Sequence, residues 1–301
     1  MLNATVDRRR DGESLSSIVM DICGEKLELK DAKMLIKKGA VRLSGGTVKK
    51  DVAVSEGDIA EVYLPDSFAG ILPDPKIVYE DENFLMYSKC QGMVTEDDTK
   101  DGRSVFSFAY RRMRENREID HDLMMLPNVC FREDTATGGF VLVSKHYSGY
   151  EFVTEGMKSR RIKRFYRVLT AGRPKREEGE LHHYIVREKK GWKVSAAPVR
   201  DGLPMLTRFR YISGSEDFSV LDVDLLTSRP FQVQAHLAAV GLPIVGDDLF
   251  GDKRLNRELG VHEQAIWSTG VVFDTATIDF FGYLDKKRFM IDEGDIRFPS
   301  V

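Results

Sequence analysis

The segment Phe131-Arg132-Glu133-Asp134-Thr135-Ala136-Thr137-Gly138-Gly139 runs straight into the apolar residues Phe140-Val141-Leu142-Val143. A polar turn ending in two glycines, then four apolar residues rich in β-formers, predicts a loop that feeds a buried strand. This places the carboxylate of Asp134, with the cation Arg132 two residues away, at the edge of a rigid element. Taken alone, a capping Asp and a solvated Arg in a turn account for the same residues.

Further matches downstream decide between the two readings. The segment resembles the catalytic loop of the RluA-type pseudouridine synthases, which runs His-Arg-Leu-Asp, two variable residues, Thr, a small residue and Gly. Arg132, Asp134, Thr137 and Gly139 fall on that pattern, with Phe131 in place of the His and Glu133 in place of the Leu. Arg164-Phe165-Tyr166 resembles the family's Lys/Arg-x-Tyr. The segment from Leu226 to Leu237 is similar to its Leu-x-Thr/Ser-Gly-Arg-Thr-His-Gln-Ile-Arg-x-His-Leu, with Arg229, Gln232, His236 and Leu237 matching. The longest match, Gly241-Leu242-Pro243-Ile244-Val245-Gly246-Asp247-Asp248-Leu249-Phe250-Gly251, holds glycines and apolar residues that read as structural. Gly202-Leu203-Pro204-Met205-Leu206-Thr207 is a weaker match. The family's Lys-Pro stands here as Lys89-Cys90, and its late Leu-His-Ala survives only as Ile266-Trp267-Ser268.

The resemblance implies isomerisation of uridine in RNA, either rRNA or tRNA, to pseudouridine, without a cofactor. Asp134 would act on the sugar, as nucleophile or as base. Tyr166 would stack on the uracil and help move a proton. Arg229 would project from a helix start, with Pro230 in the first turn, and pair with Asp134. Arg132 would contact RNA backbone or support the loop. Phe131, Ser228, Phe231 and Gln234 depart from the pattern, so a catalytically silent RNA-binding paralogue on the same scaffold is the alternative. A glycosidase using Glu133 and Asp134 as a pair fares worse, because sequence neighbours rarely face one substrate at the needed separation of about 5–10 Å.

Around this centre, residues 1–12 read as a flexible tail despite Arg8-Arg9-Arg10. Residues 13–65 read as a small α/β unit. Leu15, Ile18, Val19 and Ile22 share one helical face, and Asp31 is placed to cap a second helix that ends at Gly39. Short strands follow through Val41, Leu43, Val52, Val54, Ile59 and Val62. The unit resembles the α-L RNA-binding module, which implies Lys33, Lys37, Lys38 and Arg42 near phosphates. Residues 66–75, within a stretch holding three of the ten prolines, read as a linker. From residue 76 to 301, strands with interspersed helices lack regular βαβ alternation and predict an α+β domain on a mainly antiparallel mixed sheet, the synthase fold of the resemblance. Ile77–Tyr79, Phe84–Tyr87, Phe140–Val143, Phe165–Leu169, Ser219–Leu225 and Ile244-Val245 are its strand candidates. Helical spacing appears at Ser104–Met113, Tyr147–Met157 and Phe231–Val240.

With 301 residues, 42% hydrophobic, the chain has material for about two domains. No apolar run suits a membrane span. Cys23, Cys90 and Cys130 are scattered and the His residues lack ligand spacing, so neither a disulfide framework nor a metal site is predicted, and the chain reads as cytoplasmic. Net charge is -3, which disfavours gripping nucleic acid by bulk charge. Locally, Arg160 to Arg167 packs five cations and two aromatics into eight residues, a pattern suited to RNA contact through Lys163 and Arg164. Single-chain action fits the family.

Overall fold

The computed structural model describes residues 2–24, 27–63, 72–96, 102–189, 191–261, 263–276 and 280–299. The N-terminal part contains β1 (Leu2–Thr5), α1 (Leu15–Cys23), α2 (Leu29–Lys37), β2 (Val41–Leu43), β3 (Gly46–Thr47) and β4 (Ile59–Val62), with the sheet order β1-β4-β2-β3. Ser14 caps α1 by accepting from the Ser17 N–H. Leu15, Ile18 and Val19 point inward from α1, and Ala32, Leu35 and Ile36 from α2. Each Leu or Ile so buried contributes about 1.5–3 kcal/mol. Two expectations change here. Of the expected tail 1–12, residues 2–12 are not a flexible tail: β1 pairs antiparallel with β4 from Leu2↔Val62 to Thr5↔Ile59, and Arg8–Arg10 form a 3₁₀ turn capped by Asp7. Asp31 lies in the first turn of α2 rather than at its cap, which is Glu28. Of the proposed linker, residues 66–71 lie outside the described residues. Leu72 beyond them is buried.

The rest of the chain supplies β5 (Lys76–Glu80), β6 (Phe84–Lys89), α3 (Val105–Glu115), β7 (Asn128–Val129), β8 (Gly138–Ser144), α4 (Tyr147–Lys158), β9 (Ile162–Ala171), β10 (Glu178–Glu188), β11 (Gly191–Ser195), β12 (Leu203–Gly214), β13 (Phe218–Leu225), α5 (Gln232–Ala239), α6 (Lys253–Leu259), β14 (Ile266–Phe273) and β15 (Arg288–Met290). Its sheet runs β11-β10-β12-β13-β9-β14-β8-β6-β5, with β7 on β8 and β15 on β14. Every pairing is antiparallel except β8 with β14. This is the α+β architecture on a mainly antiparallel mixed sheet.

One apolar cluster joins the two parts, running from Leu15, Leu35 and Val41 through Leu72 to Leu85, Tyr87, Val105 and Val141. Arg42 reinforces the junction. It is buried, and its Nη2 donates to the Leu259 carbonyl at 2.6 Å. That carbonyl is the last in α6, where a cation is favourable. Arg42 is therefore a structural tie, not the phosphate contact expected from sequence. Lys33, Lys37 and Lys38 remain exposed on α2.

Candidate active site

Sheet register brings the key loop to its partner strand. At the start of β8, Gly138 and Gly139 lie beside Trp267 and Ser268 of β14 in parallel register. On its other side, Ser268 faces Tyr166 of β9. The loop before β8 therefore ends one strand away from Tyr166. Gly139 has φ +100, and a Cβ there would collide with the Ser268 carbonyl. This close approach explains why the turn ends in glycine.

A cleft of about 90 Å³ is lined by Arg132, Glu133, Asp134, Arg164, Tyr166, Arg229, Phe231 and Gln234, among others. Asp134 is exposed in it, and Gln234 on α5 donates to Asp134 Oδ2 at 3.1 Å. Gln234 also donates to Gln264 Oε1 at 3.2 Å, and Gln264 in turn donates to Oδ1 of the fully buried Asp247 at 3.2 Å. The loop backbone is held from below by Lys89, which is 1% exposed and donates to the carbonyls of Asp134, at 3.1 Å, and of Thr137. Burial pulls the Lys89 ammonium down to about 8, against the pull of Glu133.

Glu133 turns inward and is 8% exposed. It accepts from the Tyr166 hydroxyl at 2.8 Å and has the Arg164 guanidinium 3.5 Å away. Arg164 lies over the Phe131 ring at 4.8 Å and donates to Ser228 Oγ at 2.8 Å. Burial raises Glu133 above the usual carboxylate range although Arg164 opposes it. Burial likewise lifts Tyr166 well above its ordinary value.

A family model described as RNA pseudouridylate synthase matches residues 83–239, more than half of the chain. The chain belongs to that family. The Bacillus subtilis RNA pseudouridine synthase YlyB is 26% identical over 224 residues, 73% of each chain. The ribosomal large subunit pseudouridine synthase C of Vibrio parahaemolyticus is 24% identical over 240 residues, covering 75% of this chain and 73% of its own. The structure of human RNA pseudouridylate synthase domain containing 4 aligns with a TM-score of 0.55 at 16% identity, over 70% of this chain and 88% of that one, a likeness of fold.

In this pseudouridine synthase, Asp134, Tyr166 and Arg229 all line one cleft, but three expectations change. The Arg229–Asp134 pair does not form: Arg229 donates to the carbonyls of Pro204 at 3.2 Å and Ser228 at 3.3 Å, while Gln234 holds Asp134. Pro230 precedes α5 rather than opening it. The cap is Phe231, in a left-handed conformation at φ 54 that a bulky residue adopts only at a cost. The basic run from Arg160 to Arg167 is not a surface stripe, because it supplies β9, which is paired on both sides. Along β9, Arg164 and Tyr166 are buried and alternate with half-buried Lys163, Phe165 and Arg167. Arg164 is therefore spent on Glu133, and Lys163 lies on the other face, 3.4 Å from Asp274. Arg132 is exposed and lies 3.4 Å from Glu96.

A second concavity, of about 580 Å³, is lined by Phe165 and Arg167 and so opens on the face away from Tyr166. Two of its cations are matched locally, Arg167 and Arg210 both pairing with Asp222. Among the described residues no group of three or more His, Cys, Asp or Glu could hold a metal ion, and no helix is long and apolar enough to cross a membrane. Sequence reasoning passed over Lys89, Gln264 and Asp247 as site residues. The Lys89-Cys90 dipeptide and Asp247 in the long glycine-rich match were the available signals.

Proposed function

We propose that this synthase converts uridine to pseudouridine within an RNA chain by one carboxylate, Asp134, and without a cofactor. The C1′–N1 bond breaks, uracil turns in the cleft, C1′ bonds to C5, the C5 proton leaves and N1 takes up a proton. The product is an isomer of the substrate, so no redox partner or group donor enters the balance. Asp134 acts on the sugar and Tyr166 offers its ring to the uracil. Extruding the base costs a few kcal/mol, offset by stacking and phosphate contacts. The observation that carries this reading is an exposed carboxylate, anchored through Gln234, in the same cleft as a buried tyrosine.

Lys33, Lys37 and Lys38 on α2 and Arg132 at the cleft supply the cations for RNA backbone, and one chain suffices. Relatives whose names specify the ribosomal large subunit make rRNA the first substrate class to test, and tRNA the second. The test is tritium release from RNA carrying tritium on carbon 5 of uridine, with Asp134→Asn alongside. Release by the wild type and none by the variant supports the reading. RNA binding without release by either protein favours the silent paralogue, for which the unpaired geometry of Arg229 and Asp134 is the motivating observation.

A further inference from the structure

Tyr166 presents a difficulty for any proton transfer at this site. The C5 proton must go to some acceptor once the carbon–carbon bond has formed. A tyrosine hydroxyl is already protonated, and burial keeps that proton firmly in place. Tyr166 can receive the C5 proton only if its own proton has somewhere to go at the same moment.

Among the described residues, one candidate recipient lies at hydrogen-bond distance. The Tyr166 hydroxyl donates to Glu133 Oε1 at 2.8 Å. Both residues line the cleft that holds Asp134. The groups facing Glu133 come from three elements: Arg164 and Tyr166 from β9, Lys89 from β6, and Asp134 from its own loop. The Arg164 guanidinium at 3.5 Å favours the ionised carboxylate, against burial, which acts the other way.

We infer that Glu133 is a positioning residue that makes Tyr166 a proton relay, accepting the tyrosine proton as Tyr166 takes the proton from uracil C5. The inference rests on the uridine isomerisation proposed above. In the step, the C5–H bond breaks, its electron pair restores the C5–C6 double bond, the C6=N1 π pair moves onto N1, and N1 takes a proton from solvent. The proton bonds to Tyr166 Oη, whose original proton passes to Glu133 Oε1. Glu133 returns that proton to solvent through the cleft before the next turnover. Burial makes its carboxylate a better acceptor than a solvated one.

The experiment compares wild type, Glu133→Gln, Glu133→Leu, Tyr166→Phe and the double variant Glu133→Gln/Tyr166→Phe on RNA protiated or deuterated at uridine C5. Glu133→Gln keeps the shape and a hydrogen-bond acceptor for Tyr166 but is a far weaker proton acceptor. Rates are referred to the folded fraction from thermal melts. The expected result is a fall in kcat of about a hundredfold for Glu133→Gln, the low end for general acid–base catalysis, with KM nearly unchanged. The C5 isotope effect should be larger than in the wild type, the acid limb of kcat due to Glu133 should vanish, and the double variant should be no slower than Tyr166→Phe. An unchanged isotope effect and pH profile in both Glu133 variants, or losses that add in the double variant, overturn the inference. A wild type without C5 release overturns the isomerase reading itself, a separate outcome.

Discussion

Beneath the N-terminal helices the interior is filled by Leu15, Ile18, Leu35, Ile36 and Val41, each at most 2% exposed. Beneath the Asp134 loop it is filled by Lys89, Glu133, Arg164 and Tyr166. The first region holds together by removing apolar surface from water, a non-directional force that tolerates modest repacking. The second holds together by matched charges and hydrogen bonds, where each partner left alone is costly. Stability and chemistry are thus assigned to different parts of one molecule, and they should respond separately to mutation.

The largest separation is expected at Asp134. Asp134→Asn should lower turnover by about a thousandfold or more while leaving the melting temperature nearly unchanged, as measured by tritium release and calorimetry. A large fall in melting temperature would erase the contrast. Next, Leu35→Ala should cost about 2–5 kcal/mol in urea unfolding. Its kcat per folded molecule should hold, and a loss of kcat would mean that the apolar region reaches the chemistry.

The buried ammonium of Lys89 sharpens the comparison through pH. Its folded value is about 8 against an ordinary 10.5, so between those values the unfolded chain binds a proton that the folded chain has released. The penalty is fully present below about pH 8 and relieved as pH rises toward 10.5. Wild-type stability should therefore gain on that of Lys89→Met across this window, by no more than about 3 kcal/mol. A flat difference between the two unfolding curves would remove Lys89 from the charged interior. The smallest effect is expected on the surface. Replacing Lys33, Lys37 and Lys38 together by Ala should weaken RNA binding about tenfold and reduce its salt slope by about two to three. With saturating RNA, kcat should not move.

What was legible in the sequence follows the same division. The faces of α1 and α2 were readable because their apolar residues repeat at helical spacing. α4 was readable too, the spacing over Tyr147–Met157 falling on the helix Tyr147–Lys158. Strands β10 and β12 escaped notice, since Glu178–Glu188 alternates exposed with half-buried positions, buries only Ile185, and carries its alternation on charged and polar residues. Ile244-Val245 read as a strand but makes only an isolated bridge, Ile244 to Thr170. In the site, Asp134, Tyr166 and Arg229, which motif words name, do line one cleft. The partners were misjudged because pairing across a sheet is not encoded in spacing. Arg164 and Lys163 are adjacent in the chain yet lie on opposite faces, and Gln234 rather than Arg229 reaches Asp134.

Arg42 closes the N-terminal sheet against the end of α6 through the Leu259 carbonyl. This bond and the shared apolar cluster join the N-terminal sheet to the rest of the molecule. If the lysines of α2 grip phosphates, their separation from Asp134 is then a fixed length built into the protein. The enzyme would select its uridine as a caliper does, by whether the RNA can span both jaws at once. Recognition of this kind reads the folded shape of the RNA, and any uridine at the right reach, whatever its neighbours, would qualify.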